Sequence, residues 1–141
     1  MTIKPFEVVD IQELRVMQRI FREAKFCIVA DDDEISDSPI VAKLFSRLMT
    51  ALIEAEVEID GERARQSWEK WLLMDNPLRS EWSAALLRAQ KNIAWHKMNE
   101  FEQIEYVKIL FSPFVLSVDA IRQFIAEVND KEDNRGQTTI D

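Results

Sequence analysis

The sequence predicts a single all-α domain, a bundle of about six helices followed by a short disordered acidic tail. Three observations carry that prediction. Apolar residues recur at helical spacing in six separate segments. Three of the four prolines follow residues that cap helices well: Ser38 before Pro39, Asn76 before Pro77 and Ser112 before Pro113. Glycine occurs only twice in 141 residues, too seldom for folds that rely on many tight turns or phosphate-cradling loops. At this length one domain is the default, and folding hides roughly 68–70% of the surface the unfolded chain exposes. The helical domain is assigned to residues 1–129 and the disordered acidic tail to 130–141, where the sequence turns polar and loses its periodicity.

The first helix opens at Asp10, which with Glu13 fits a capping box. At 100° per residue Leu14, Met17, Phe21, Ala24 and Ile28 share one stripe, with Arg15, Arg19 and Arg22 on the opposite side. The second begins at Ser38-Pro39, and Val41, Leu44, Phe45, Leu48, Leu52, Ala55 and Ile59 line one face. Met49, Ile53 and Val57 add a second apolar flank, which makes this helix central. Asp60-Gly61 breaks it from a shorter segment, 62–74, that carries Ala64, Trp68, Trp71 and Leu72. The fourth follows Pro77 and aligns Leu78, Trp82, Ala85, Leu86, Ala89, Ile93 and His96. Asn99 and Glu102 fit a second capping box before Phe101, Ile104, Val107 and Phe111. The last helix follows Pro113 with Phe114, Val118, Ile121, Ile125 and Val128.

Composition excludes several classes of function. The longest unbroken apolar run, Phe26 to Ala30, is far short of a membrane span, and the first residues lack the basic and apolar regions of a signal peptide. The lone Cys27 has no partner for a disulfide and reads as a small buried hydrophobe in a reducing, cytoplasmic protein. A net charge of −8 opposes the phosphate attraction that dominates nucleic-acid binding and favours basic partners. The charge is uneven: residues 31–60 carry nine acids and two bases, residues 61–100 five acids and seven bases.

The acidic run Asp31-Asp32-Asp33-Glu34 fits no calcium-loop register, since the sixth position is never glycine and the twelfth never a carboxylate. His96 reads as a core histidine, and no metal or cofactor site is assigned. No catalytic dyad or phosphate-binding glycine loop is present in the sequence. Trp68, Trp71 and Trp82 read as core. Trp95 lies off the main stripe beside Ala84, Leu87, Ala94 and Met98, either facing a partner or buried between helices. The arginine stripe has two readings, a solvated face or a surface that meets Glu54, Glu56, Glu58 or Asp60 within the bundle or across a dimer.

Phe26-Cys27-Ile28-Val29-Ala30-Asp31-Asp32 resembles the first strand and acidic pair of a response-regulator receiver domain. Asp60-Gly61, Leu72-Leu73-Met74-Asp75 and Phe111-Ser112-Pro113-Phe114 are similar to its later landmarks. The resemblance implies an acidic pocket of Asp31, Asp32 and Asp75 that binds magnesium beside a phosphorylated Asp. Ser112 stands where that family has Lys, and Trp68, Trp71 and Leu72 follow helical rather than strand spacing.

The expectation is therefore a small acidic cytoplasmic interaction or regulatory module without catalysis, of the adaptor, inhibitor, immunity-type or chaperone-like kind. It binds a protein partner, for which its charge favours a basic one, or a second copy as a homodimer, and neither nucleic acid nor membrane. Arg15, Arg19, Arg22 and Trp95 are its candidate partner-facing residues. The alternatives are a degenerate receiver-like signalling domain and a metal-dependent enzyme using Asp31–Glu34 with His96.

Overall fold

A computed structural model describes residues 2–137. Among these residues the chain forms six α-helices: α1 (Ile11–Lys25), α2 (Pro39–Asp60), α3 (Glu62–Leu72), α4 (Ser80–Lys91), α5 (Glu100–Phe111) and α6 (Val118–Gln137). A single 3₁₀ turn, Trp95–Lys97, lies between α4 and α5. There is no β-strand among the described residues. An isolated parallel bridge joins Leu73 to Val115, through Met74 N–H to Val115 O and Val115 N–H to Leu72 O, both 2.8 Å. The all-α architecture predicted by periodicity is the observed one, and it removes the doubly wound fold a receiver domain needs. Phe26 to Ala30 is a turn and loop, not a strand.

Local chemistry accounts for most helix ends. Asp10 Oδ1 accepts the N–H groups of Gln12 (2.7 Å) and Glu13 (3.2 Å), and Ser38 Oγ accepts Val41 N–H with Pro39 at the first helical position. Asn99 and Glu102 form a full reciprocal capping box, at 2.9 and 3.1 Å. Gly61, at φ 78°, ends α2 and begins α3 in one residue, a backbone conformation that only glycine adopts freely. Pro77 and Pro113 do not start helices. Pro77 lies in a turn in which Asn76 Oδ1 accepts Leu78 N–H, and α4 opens three residues later at Ser80. Pro113 lies in the bridged connection to Met74, and Ser117 caps α6, its Oγ accepting Ala120 N–H at 3.1 Å. The backbone of α6 is helical to Gln137, so helix enters the stretch 130–141 expected to be a tail. Residues 138–141 lie outside the described ones.

Two clusters make up the core. One gathers Trp82, Trp95, Val107, Leu110, Phe111, Phe114, Phe124 and Val128 from α4, α5, α6 and their connections. The other gathers Leu14 with Phe45, Leu48, Met49, Leu52 and Ile53 from α1 and α2. Phe26, Trp71 and Leu72 pack against both. Trp71 packs on Phe114 with the rings tilted 50° and centroids 4.9 Å apart, and meets Trp68 edge-on at 5.3 Å. The inward face of α1 differs from the expected stripe by about one residue. Leu14, Gln18 and Lys25 are buried with Phe21 half-buried, whereas Ala24 and Ile28 are exposed. Leu44, Ile59, Leu78, Ile93, Phe101 and Val118, all expected on core stripes, are also exposed, because they lie at or beyond helix ends or on the outer flank.

Candidate functional site

The outer face of α1 carries an open groove. Val16, Ile20 and Ala24 rise along it, and the α1–α2 connection adds Cys27, Val29, Ala30 and Ile35. Together they enclose an open groove of about 990 Å³. Val16 is 50% exposed, Ile20 59% and Val29 85%. Arg19, Arg22, Glu23, Asp31 and Asp32 supply its polar lining. A second groove of about 370 Å³, lined by Phe6, Val8, Gln12, Glu13, Val16 and Met17, shares Val16 with it.

The three arginines have separate fates. Arg15 Nε donates to Glu56 Oε1 at 2.7 Å, so the expected meeting with the acids of α2 is made within the chain. This hydrogen bond raises the Arg15 guanidinium above its ordinary range. Arg22 Nε donates to Glu81 Oε2 at 3.3 Å. Arg19 lies exposed in the groove and makes no ion pair among the described residues.

Behind this face lies a set of buried polar groups that sequence patterning did not single out. Glu81 is 3% exposed and accepts from Arg22 and from both Nε and Nη2 of Arg79. Burial alone pushes its carboxyl up. Its own backbone N–H and the hydrogen bonds and charges of Arg79 and Arg22 reverse this and hold it below the usual carboxylate range. Arg79 also donates to Trp71 O at 2.7 Å and lies over the Phe114 ring at 4.9 Å. Lys25 is 2% exposed at the end of α1. Its Nζ donates to Ile109 O at 2.7 Å and to Ser112 O, the last carbonyls of α5, and sits 5.6 Å from the Phe26 ring. A cation suits a helix C-terminus, but burial lowers its pKa to about 7, with the charge of Asp37 opposing.

Asp37 joins α2's approach to α4 and α5. Its Oδ2 accepts from Arg88 Nη2 at 2.8 Å and from the Tyr106 hydroxyl at 3.3 Å. Burial pushes the Tyr106 phenol up to about 12. A second, smaller cavity of about 160 Å³ lies against this cluster, lined by Lys25, Arg88 and Lys91 among others.

Other sequence candidates lie elsewhere. Trp95 is 1% exposed, its indole N–H donating to Asn129 Oδ1 at 3.0 Å, so it is a core residue and not a partner-facing one. The chain leaves α4 at Lys91 and turns through Trp95–Lys97, which swings Trp95 inward and His96 outward. His96 is exposed rather than in the core stripe. Cys27 is exposed, not buried, and its thiol donates to Val29 O. Asp31 to Glu34 and Asp75 are exposed. Among the described residues no three His, Cys, Asp or Glu side chains are grouped to hold a metal ion, so the acidic run does not form such a group with His96 or Asp75.

The missed residues carried a faint signal. Lys25 follows Leu14, Gln18 and Phe21 at helical spacing, and Glu81 adjoins Trp82 on the buried side of α4. No protein-family model, curated protein or solved structure matches the chain. Among the described residues no helix is long and apolar enough to cross a membrane.

Proposed function

We propose that this protein is a small cytoplasmic interaction or regulatory module without catalysis, and that it docks a protein partner along the outer face of α1. The observation that carries the reading is the open groove of about 990 Å³, where Val16, Ile20 and Val29 stay at least half exposed between charged walls. Contiguous apolar surface rimmed by polar groups is characteristic of interaction sites. Its length and helical spacing suit an amphipathic partner helix with apolar anchors one turn apart. Asp31 and Asp32 at one end favour a basic residue on that helix, and the exposed Arg19 an acidic one.

A photo-crosslinking residue placed at Ile20 tests the reading in the native host. A discrete crosslinked protein is expected from Ile20 and not from Glu105 on the exposed side of α5. Identical products from both positions count against the groove. Ile20→Glu abolishes the product and, at an exposed position, shifts stability by no more than about 0.5 kcal/mol.

One observation favours a second copy as the partner. Arg19 and Glu23 lie one turn apart on the exposed face of α1, so an antiparallel pair of α1 helices brings each Arg19 to the opposite Glu23. Sedimentation at low and high salt, for the wild type and Arg19→Glu, decides this. A monomer in all four samples removes the homodimer, and a dimer unchanged across them removes the Arg19–Glu23 contacts.

A further inference from the structure

We infer that the small cavity between the α1–α2 connection and α4 is a binding site for a small inorganic oxyanion of the phosphate or sulfate type. Three basic side chains from two elements line it: Lys25 at the end of α1, and Arg88 and Lys91 one turn apart on α4. Ser36, whose hydroxyl donates to Asp33 O at 3.5 Å, is also in the lining, and Asp33, exposed, is its one carboxylate.

Among the described residues Lys25 has no carboxylate bonded to it, and Arg88, though paired with Asp37, keeps one nitrogen unbonded. Lys25 is 2% exposed and its acceptors are the neutral carbonyls of Ile109 and Ser112. No ion pair is recorded for it among the described residues. An ammonium has three N–H groups, so one remains after those two bonds. Arg88 gives Nη2 to Asp37 at 2.8 Å, but its buried Nε has no hydrogen-bond partner among the described residues. Asp37 is itself already shared between Arg88 and Tyr106. Buried charges are stable when paired and hydrogen-bonded, and an anion in the cavity supplies a countercharge beside Lys25, which makes no ion pair among the described residues. Lys91, exposed at the mouth, adds attraction without needing to be buried.

Size selects the ligand class. At about 160 Å³ the cavity holds about five waters' share of liquid volume. That suits an ion of five heavy atoms, and it is well below the roughly 300–1,000 Å³ of pockets that take nucleotides or drug-sized ligands.

The test titrates the full chain with sodium phosphate, and separately with sodium sulfate, in chloride buffer at pH 7. Sodium chloride of matched ionic strength is the control, and melting temperature and amide ¹H–¹⁵N spectra are followed. A saturable rise in melting temperature is expected with either oxyanion, with shifts confined to residues around 33–36 and 88–91. Arg88→Gln removes the response. Lys91→Met, a change at an exposed position that leaves the fold intact, raises the half-saturating concentration about tenfold. Lys108→Met, a cation on the exposed side of α5, leaves it unchanged. An unsaturable response, one matched by chloride, or a Lys91→Met variant that titrates like the wild type overturns the site, as does equal weakening by Lys108→Met.

Discussion

Lys25 and Glu81 show how much of this molecule depends on single buried charges. The Lys25 pKa falls from 10.5 to about 7 on folding, chiefly through burial. Between those values the unfolded chain holds a proton that the folded one has released, so stability rises with pH across that window. Against a Lys25→Met reference, the wild type gains up to about 1.4 kcal/mol per pH unit from pH 7 towards pH 10. Urea unfolding at several pH values measures this, and a flat difference contradicts it. Glu81 has the opposite sign. Its folded pKa lies below the ordinary 4.5, so its contribution is present above that value and lost as pH falls through the folded pKa. Glu81→Ala leaves Arg22 and Arg79 without their shared carboxylate and costs about 3 kcal/mol at pH 7. That penalty shrinks in acid, which unfolding at pH 7 and pH 3 compares directly. Both residues were hidden in the sequence because a charged residue beside an apolar stripe ordinarily marks its edge. Burial turns on what the neighbouring helix offers, here the carbonyls ending α5 for Lys25 and two arginines for Glu81.

Helices are easier to read than the stretches between them. Asp10, Ser38 and Asn99 act within three residues of themselves, so their caps follow from local spacing. Gly61 does so too, and nothing lies within 4 Å of where its Cβ would be. Gly61→Ala is therefore a pure backbone test of the positive φ: it costs about 1–3 kcal/mol, read as a lower midpoint of chemical unfolding with an unchanged slope. Pro77 and Pro113 carried the same local signal as Pro39 but do not begin helices. The difference is tertiary. Leu72 and Met74 are hydrogen-bonded to Val115, which holds the residues after each of α3 and α5 extended and delays the next helix. The same extended link moved Leu78 out of the α4 stripe. The early end of α4 at Lys91 likewise sends Trp95 to the core and His96 to the surface.

The whole molecule consists of two clusters that share Phe26, Trp71 and Leu72. The wild type is expected to unfold in one transition, with fluorescence and circular dichroism coincident. Trp71→Ala removes the rings' contact with Phe114 and Trp68 and the seat of Arg79, and it destabilises by about 3 kcal/mol. It also separates the two probes, since two of the three remaining tryptophans, Trp82 and Trp95, report the cluster of α4, α5 and α6, whereas Trp68 packs against the other. A variant whose probes stay coincident shows that α2 and α5, which also touch, suffice to couple the halves.

By itself the sequence determined the helical class, the number of helices and the capped starts of α1, α2 and α5. These rest on periodicity and on hydrogen bonds that close within one turn of chain. Only the tertiary structure decided which flank of α1 turns inward, that Arg15 is consumed by Glu56, that Trp95 is core, and that Lys25, Arg88 and Lys91 line one cavity. Those outcomes depend on groups tens of residues apart meeting in space. A pattern with a period of 3.6 residues marks a face on a helix, but the neighbour that covers the face determines what it does.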